Sequence, residues 1–144
     1  MNAAQAAQAA AVSFDVRGEY DVATVIAGAQ RFCAGHGASP VFCAHVATAA
    51  SELANNLWLY ADHGGRLRLT LLQRGRHQGV ELVSEDDGPG IADPALAMTE
   101  GWSSGGGMGC GLPGVQRLMD EFDLQTGPGR GTRVVARKWW PPLR

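Results

Sequence analysis

Lysine is almost missing from this chain of 144 residues: only Lys138 occurs, near the C-terminal end. No GxxxxGK[ST] run exists, which excludes a P-loop. The lysine of the protein-kinase pattern comes early and on a strand, so that pattern is excluded too. Cysteine is scarce. Cys33, Cys43 and Cys110 are odd in number and form no CxxC pair, so neither a disulfide framework nor a zinc site is expected, and a reducing cytoplasm is the simplest location. Cys33 and Cys43 fall in helical patterns and read as core fillers. His36, His45, His63 and His77 show no ligand spacing with the cysteines. No apolar run is long enough to span a bilayer. Residues 2–11 are Ala and Gln with no basic start, so they do not read as a secretory signal. A net charge of -2 gives no global electrostatic case for nucleic acid.

Glycine is what the chain has in excess. Nine of its 20 glycines fall between Gly88 and Gly114, in two clusters: Asp86-Asp87-Gly88-Pro89-Gly90-Ile91 and Gly105-Gly106-Gly107-Met108-Gly109-Cys110-Gly111-Leu112. Glycine lets backbone approach a ligand closely, at a cost in order. Such density just after a polar pair in an otherwise apolar helix points to a phosphorylated ligand.

The pattern predicts one domain over residues 12–144, preceded by a flexible tail over residues 1–11. Val12 to Arg17 alternates as a strand. A helix capped by Asp21 carries Val22, Val25, Ile26, Ala29, Phe32 and Cys33 at helical spacing and ends at Gly35 and Gly37. Ser39-Pro40 reads as an N-cap followed by proline in the first turn of a second helix, running to about Asp62. Arg66 to Leu71 and Val80 to Glu85 form a hairpin around Arg74-Gly75-Arg76. Asp93-Pro94 opens a short helix, and Pro113 lies in the first turn of another. Leu124 to Thr126 and Thr132 to Trp139 are strands joined by a turn over Gly127 to Gly131. The expected fold is α/β (α+β): a two-layer sandwich with helices on one side of a mixed, largely antiparallel sheet.

Glu52 and Asn56 are four residues apart and share one helix face, bordering the apolar stripe of Val46, Ala50, Leu53, Leu57 and Tyr60. An Asn oxygen can ligate Mg²⁺, and a nearby Glu can accept a proton from an attacking hydroxyl. Taken alone, the pair is more often a solvated helix face. Asp86 ends a strand, where a carboxylate can accept a hydrogen bond from an exocyclic amine such as that of adenine. A polar turn is the blander reading. The second glycine cluster ends where a helix begins at Leu112, a position that favours phosphate, and Gly101 to Gly107 is expected to close over a nucleotide. Gly109 to Gly114 matches GxGxxG but follows no strand, so it lacks the dinucleotide context. Arg130, Arg133 and Arg137 read as a solvated face. Trp58 marks either an interface or a buried position, and the pattern leaves Trp139 and Trp140 open between core and partner surface.

In this order the motifs resemble those of the GHKL (Bergerat-fold) ATPases. Glu52-Leu53-Ala54-Asn55-Asn56 is similar to their N-box, Asp86-Asp87-Gly88-Pro89-Gly90 to the G1 box, and Gly107-Met108-Gly109-Cys110-Gly111 to the G2 box. Thr132 after Gly131 is similar to their late Gly-Thr. The runs Ser51-Glu52-Leu53-Ala54, Gly101-Trp102-Ser103-Ser104-Gly105-Gly106 and Leu112-Pro113-Gly114-Val115 resemble the branch of serine/threonine switch kinases, although Asn55 stands where that branch has arginine. The resemblance implies Glu52 as general base and Asn56 as Mg²⁺ ligand. It implies nucleotide contacts from Asp86, Gly88, Gly90, Ile91, Gly105, Gly106, Gly107, Met108, Gly109, Cys110, Gly111, Leu112 and Thr132. ATP and Mg²⁺ are the implied cofactors. STAS-domain proteins are the implied substrates and a PP2C-type phosphatase an implied partner. The alternatives are an anti-sigma factor that holds a sigma factor, or a catalytically silent ATP-binding adaptor.

Overall fold

The computed structural model describes residues 10–61, 63–99 and 111–141. In chain order the elements are β1 (Ala11–Val16), α1 (Tyr20–Gly35), α2 (Pro40–Tyr60), β2 (Gly65–Arg74), β3 (His77–Asp86), α3 (Pro94–Ala97), α4 (Gly111–Leu118), β4 (Glu121–Thr126) and β5 (Thr132–Trp140). The sheet order is β1-β2-β3-β5-β4. Every one of its pairings is antiparallel, where the sequence pattern suggested a mixed sheet. The reason lies in the connections. Two helices stand between β1 and β2, so the chain returns against its first direction. β3 and β4 run the same way, but β5 lies between them. β1 begins at Ala11, and the Ala10 carbonyl accepts from the Leu71 N–H at 2.8 Å, so the sheet starts within the segment read as a tail.

Alternation along the strands sorts the two faces. Leu67 and Leu69 of β2, Val80, Leu82 and Ser84 of β3, and Val134 and Ala136 of β5 are buried on the helix-covered face. The helix α2 touches α1, α4 and strands β1 to β3, and of the stripe expected from sequence Val46, Ala50, Leu53 and Leu57 are buried, while Tyr60, in the last turn, is exposed. The Ser39 hydroxyl accepts from the Phe42 N–H at 3.2 Å, so the predicted cap forms. Asp21 acts differently. α1 starts two residues earlier than a cap at Asp21 would place it, and the Asp21 carboxylate turns back to accept from the N–H groups of Arg17 and Gly18, at 2.8 and 3.2 Å.

The opposite face carries paired charges. Arg137 reaches Glu81 at 2.8 Å and Glu121 at 3.5 Å, Arg133 reaches Glu85 at 3.8 Å, and Arg66 reaches Asp15 at 3.7 Å. The two exposed pairs, Arg133–Glu85 and Arg66–Asp15, contribute only about 0–1 kcal/mol each. Their value is to keep an uncovered sheet face wettable. Trp139 lies on this face yet is buried, under the Arg74 guanidinium at 4.3 Å from the ring centroid. Trp140 packs edge-on to Phe42, with centroids 4.6 Å apart. Both tryptophans therefore serve packing.

Cys33 and Cys43 are buried between α1 and α2, as read from sequence. Burial, reinforced by the neighbouring Cys43, pushes the Cys33 thiol up from 9.0 to about 12. Among the described residues no helix is long and apolar enough to cross a membrane.

Candidate functional site

Two carboxylate-bearing positions far apart in sequence line one cavity because α2 packs on β3. Glu52 and Asn56 project from α2 into a cavity of about 760 Å³, and Asp86 enters it from the last residue of β3. Gly90, Ile91, Gly111, Leu112 and Thr132 complete its wall. These are eight of the residues singled out from sequence, drawn from α2, β3, the loop after it, α4 and β5. Ser84, Leu57 and Val134 add a floor of buried side chains. Among the described residues, the side chains of Glu52 and Asn56 have no hydrogen bond or ion pair.

The loop after β3 is fixed by local hydrogen bonds. Asp86 Oδ1 accepts from the Gly88 N–H at 2.8 Å. The Ile91 N–H donates to Thr126 Oγ1 at 2.8 Å, and the Gly129 N–H donates to the Pro89 carbonyl at 2.7 Å. Thr126 Oγ1 donates to the Gly131 carbonyl at 3.1 Å. Its one proton is thereby used, so Thr132 is the donor in the 3.0 Å contact between the two hydroxyls. Thr126 thus ties the glycine loop to the turn before β5, a role that no local signal announced.

Gly90 has φ +79°, and a Cβ there would run into the Gly127 carbonyl oxygen. Alanine at this position combines left-handed strain with a backbone clash. Gly90→Ala is expected to lower stability by at least about 1–3 kcal/mol, measured by urea denaturation.

Gly88 does not line this cavity. It is buried against Ala61 and borders a second cavity of about 840 Å³ that shares Asp86 and Thr132. That second space has Arg17, Arg66, Arg130 and Arg133 facing Asp15, Glu85 and Asp87, and it holds neither Glu52 nor Asn56. Gly88 therefore serves the site by orienting the Asp86 carboxylate. Gly105, Gly106, Gly107, Met108, Gly109 and Cys110 lie outside the described residues.

Charge is the other informative property of the site. Glu19, Glu52, Asp86 and Asp93 line the cavity, and none of its lining residues is Lys, Arg or His. No basic residue occurs between His77 and Arg117 in the sequence either.

Residues 14–138 match the histidine kinase-like ATPase domain. The chain belongs to that family. It is 48% identical over 96 residues to the serine/threonine-protein kinase RsbT of Bacillus subtilis (strain 168), a match that covers 67% of this chain and 71% of that protein. The fold is similar to that of the mycobacterial sensor histidine kinase MprB, with TM-score 0.54 and 19% identity over 94% of this chain and 99% of that one. It is also similar to the RsbU and RsbW domains of Rv1364c from Mycobacterium tuberculosis, with TM-score 0.55 and 18% identity over 90% of this chain and 31% of that one. These two structures share the fold of the ATPase family member described here.

Proposed function

We propose that this ATPase-family chain is an ATP-dependent serine/threonine protein kinase of a bacterial partner-switching pathway, acting on STAS-domain proteins and, once released from them, on a PP2C-type phosphatase. One observation carries the reading. Glu52 and Asn56, unpartnered among the described residues, share a cavity with Asp86, Gly90, Leu112 and Thr132, in a chain 48% identical over 96 residues to a serine/threonine-protein kinase.

Asp86 would accept the exocyclic amine of adenine, with Thr132 beside it. Leu112 and Gly111 would meet the phosphates at the start of α4, joined by the Gly105 to Cys110 amides. Asn56 would supply a metal oxygen ligand. The walls described carry carboxylates and no basic side chain, so a polyphosphate needs a divalent cation there, and the hard oxygens of Asn56 and its surroundings suit Mg²⁺. When bound, Mg²⁺ neutralises charge on the phosphate oxygens. Glu52 takes the proton of the acceptor hydroxyl as its oxygen bonds to the γ-phosphorus, and the bond to the bridging oxygen breaks, leaving ADP with the electron pair.

The test is incubation with γ-labelled ATP, Mg²⁺ and purified STAS-domain proteins. Label on a serine or threonine of the STAS protein is the expected result. Nucleotide binding without transfer, together with retrieval of a sigma factor, would turn the reading to an anti-sigma factor.

A further inference from the structure

Three of the five large hydrophobic side chains that stand exposed among the described residues line one opening. Leu59, Tyr60 and Leu96, 43%, 38% and 43% exposed, line the cavity that holds Glu52, and Tyr20, 93% exposed, follows the lining residue Glu19. Single exposed apolar residues are ordinary, whereas a group around one mouth marks an interaction surface. The surface is also acidic. Glu19, Glu52 and Asp93 line it, and no basic residue does. Asp93 is occupied in capping α3, where it accepts from the Leu96 N–H at 3.0 Å. Glu19 has no partner among the described residues and makes no side-chain cap on α1.

Helix geometry separates this surface from the nucleotide. At about 100° per residue, Asn56 and Asn55 fall on opposite flanks of Glu52. The Asn56 flank faces the side that α4 touches. The Asn55 flank leads toward α1 and Glu19, and its Asn55 Oδ1 is held by the Trp58 indole N–H at 3.0 Å. A hydroxyl approaching along the Asn55 flank reaches Glu52 without displacing anything bound beside Asn56. A second polyphosphate is a poor occupant of this flank, because the carboxylates repel it. A protein surface with apolar and cationic residues complements it.

We infer that Glu19, Tyr20, Leu59 and Leu96 form the docking surface for the protein substrate, and that Glu19 selects an acceptor segment carrying Lys or Arg beside the phosphorylated hydroxyl. This inference rests on the kinase reading for the identity of its occupant. Its chemistry predicts a charge-dependent affinity in which a rim carboxylate steers and orients the partner.

The test measures binding and transfer separately, with a purified STAS-domain protein as the probe. Wild type, Glu19→Lys, Tyr20→Ala/Leu59→Ala and Val41→Ala are compared by biosensor, and ATP affinity is measured by calorimetry. Val41 is also exposed, at 64%, and neither lines the cavity nor adjoins a lining residue in sequence, which makes it the control. Glu19→Lys and the double variant are expected to weaken STAS binding and raise its KM by at least about tenfold, with ATP affinity not weakened in either and the Val41→Ala values at wild type. Reversing a Lys or Arg next to the acceptor hydroxyl to Glu should restore binding to Glu19→Lys. Wild-type affinity in both variants, or no STAS binding by the wild type, overturns the inference. Variant-sensitive binding by a wild type that transfers no phosphate keeps the docking surface and removes the kinase reading instead.

Discussion

Glu52→Ala is expected to slow phosphoryl transfer to a STAS-domain protein by about 10²–10⁴-fold, the usual contribution of a positioned general base, with ATP affinity left near the wild-type value. The split follows from where Glu52 stands. It lies on the outer side of α2, where it lines the cavity without any bond to the loop after β3 that shapes the adenine end. Its removal therefore takes away a proton acceptor and leaves the nucleotide contacts in place. It also removes one negative charge from a cavity that must admit a polyphosphate, so ATP binding should hold or tighten slightly. Single-turnover transfer measured beside calorimetric ATP affinity separates the two effects. Loss of both together would mean that Glu52 holds nucleotide, and wild-type transfer would remove it from the chemistry.

Much of this arrangement was legible in the residues because it depends on short-range rules. The alternation of Arg66 to Leu71 and the Gly75 turn determine a hairpin, and the structure extends it to Gly65–Arg74 and His77–Asp86. Spacing by four placed Glu52 and Asn56 on one face, and the carboxylate after a strand placed Asp86 at a sheet end. Contacts that arise only when distant segments meet were not legible. Thr126 looks like an ordinary strand residue, and its hydroxyl gains a role because Ile91, thirty-five positions earlier, comes within 2.8 Å. Glu19 joins the site only because α1 packs beside α2. Gly88, expected in the pocket wall, instead packs under Ala61, since its N–H is taken by Asp86. The charge ladder on the uncovered face shows as alternation, but which Arg meets which Glu depends on register. Arg137 pairs with Glu81 because those two residues face each other across β3 and β5.

Asp86→Asn should weaken ATP binding by roughly 10–100-fold, the equivalent of losing a hydrogen bond to a charged group worth about 1.5–3 kcal/mol. The substitution is nearly isosteric, so its effect reports chemistry more than shape. A carboxylate has two accepting oxygens, and here one is committed to the Gly88 N–H at 2.8 Å while the other is free for the ligand. A carboxamide has a single accepting oxygen and an amino group that only donates. If its oxygen keeps Gly88, its NH₂ confronts the adenine amine, donor against donor. If it turns over to accept from adenine, the Gly88 N–H faces the NH₂, and the loop anchored through Ile91 and Thr126 loses its first tether. Either orientation leaves one donor without an acceptor in a partly buried position. The same reasoning predicts that guanine nucleotides, which present an acceptor where adenine presents its amine, lose their disadvantage in the variant. Calorimetry with ATP and GTP on both proteins measures this directly. An unchanged preference for ATP, at unchanged affinity, would show that Asp86 does not face the base.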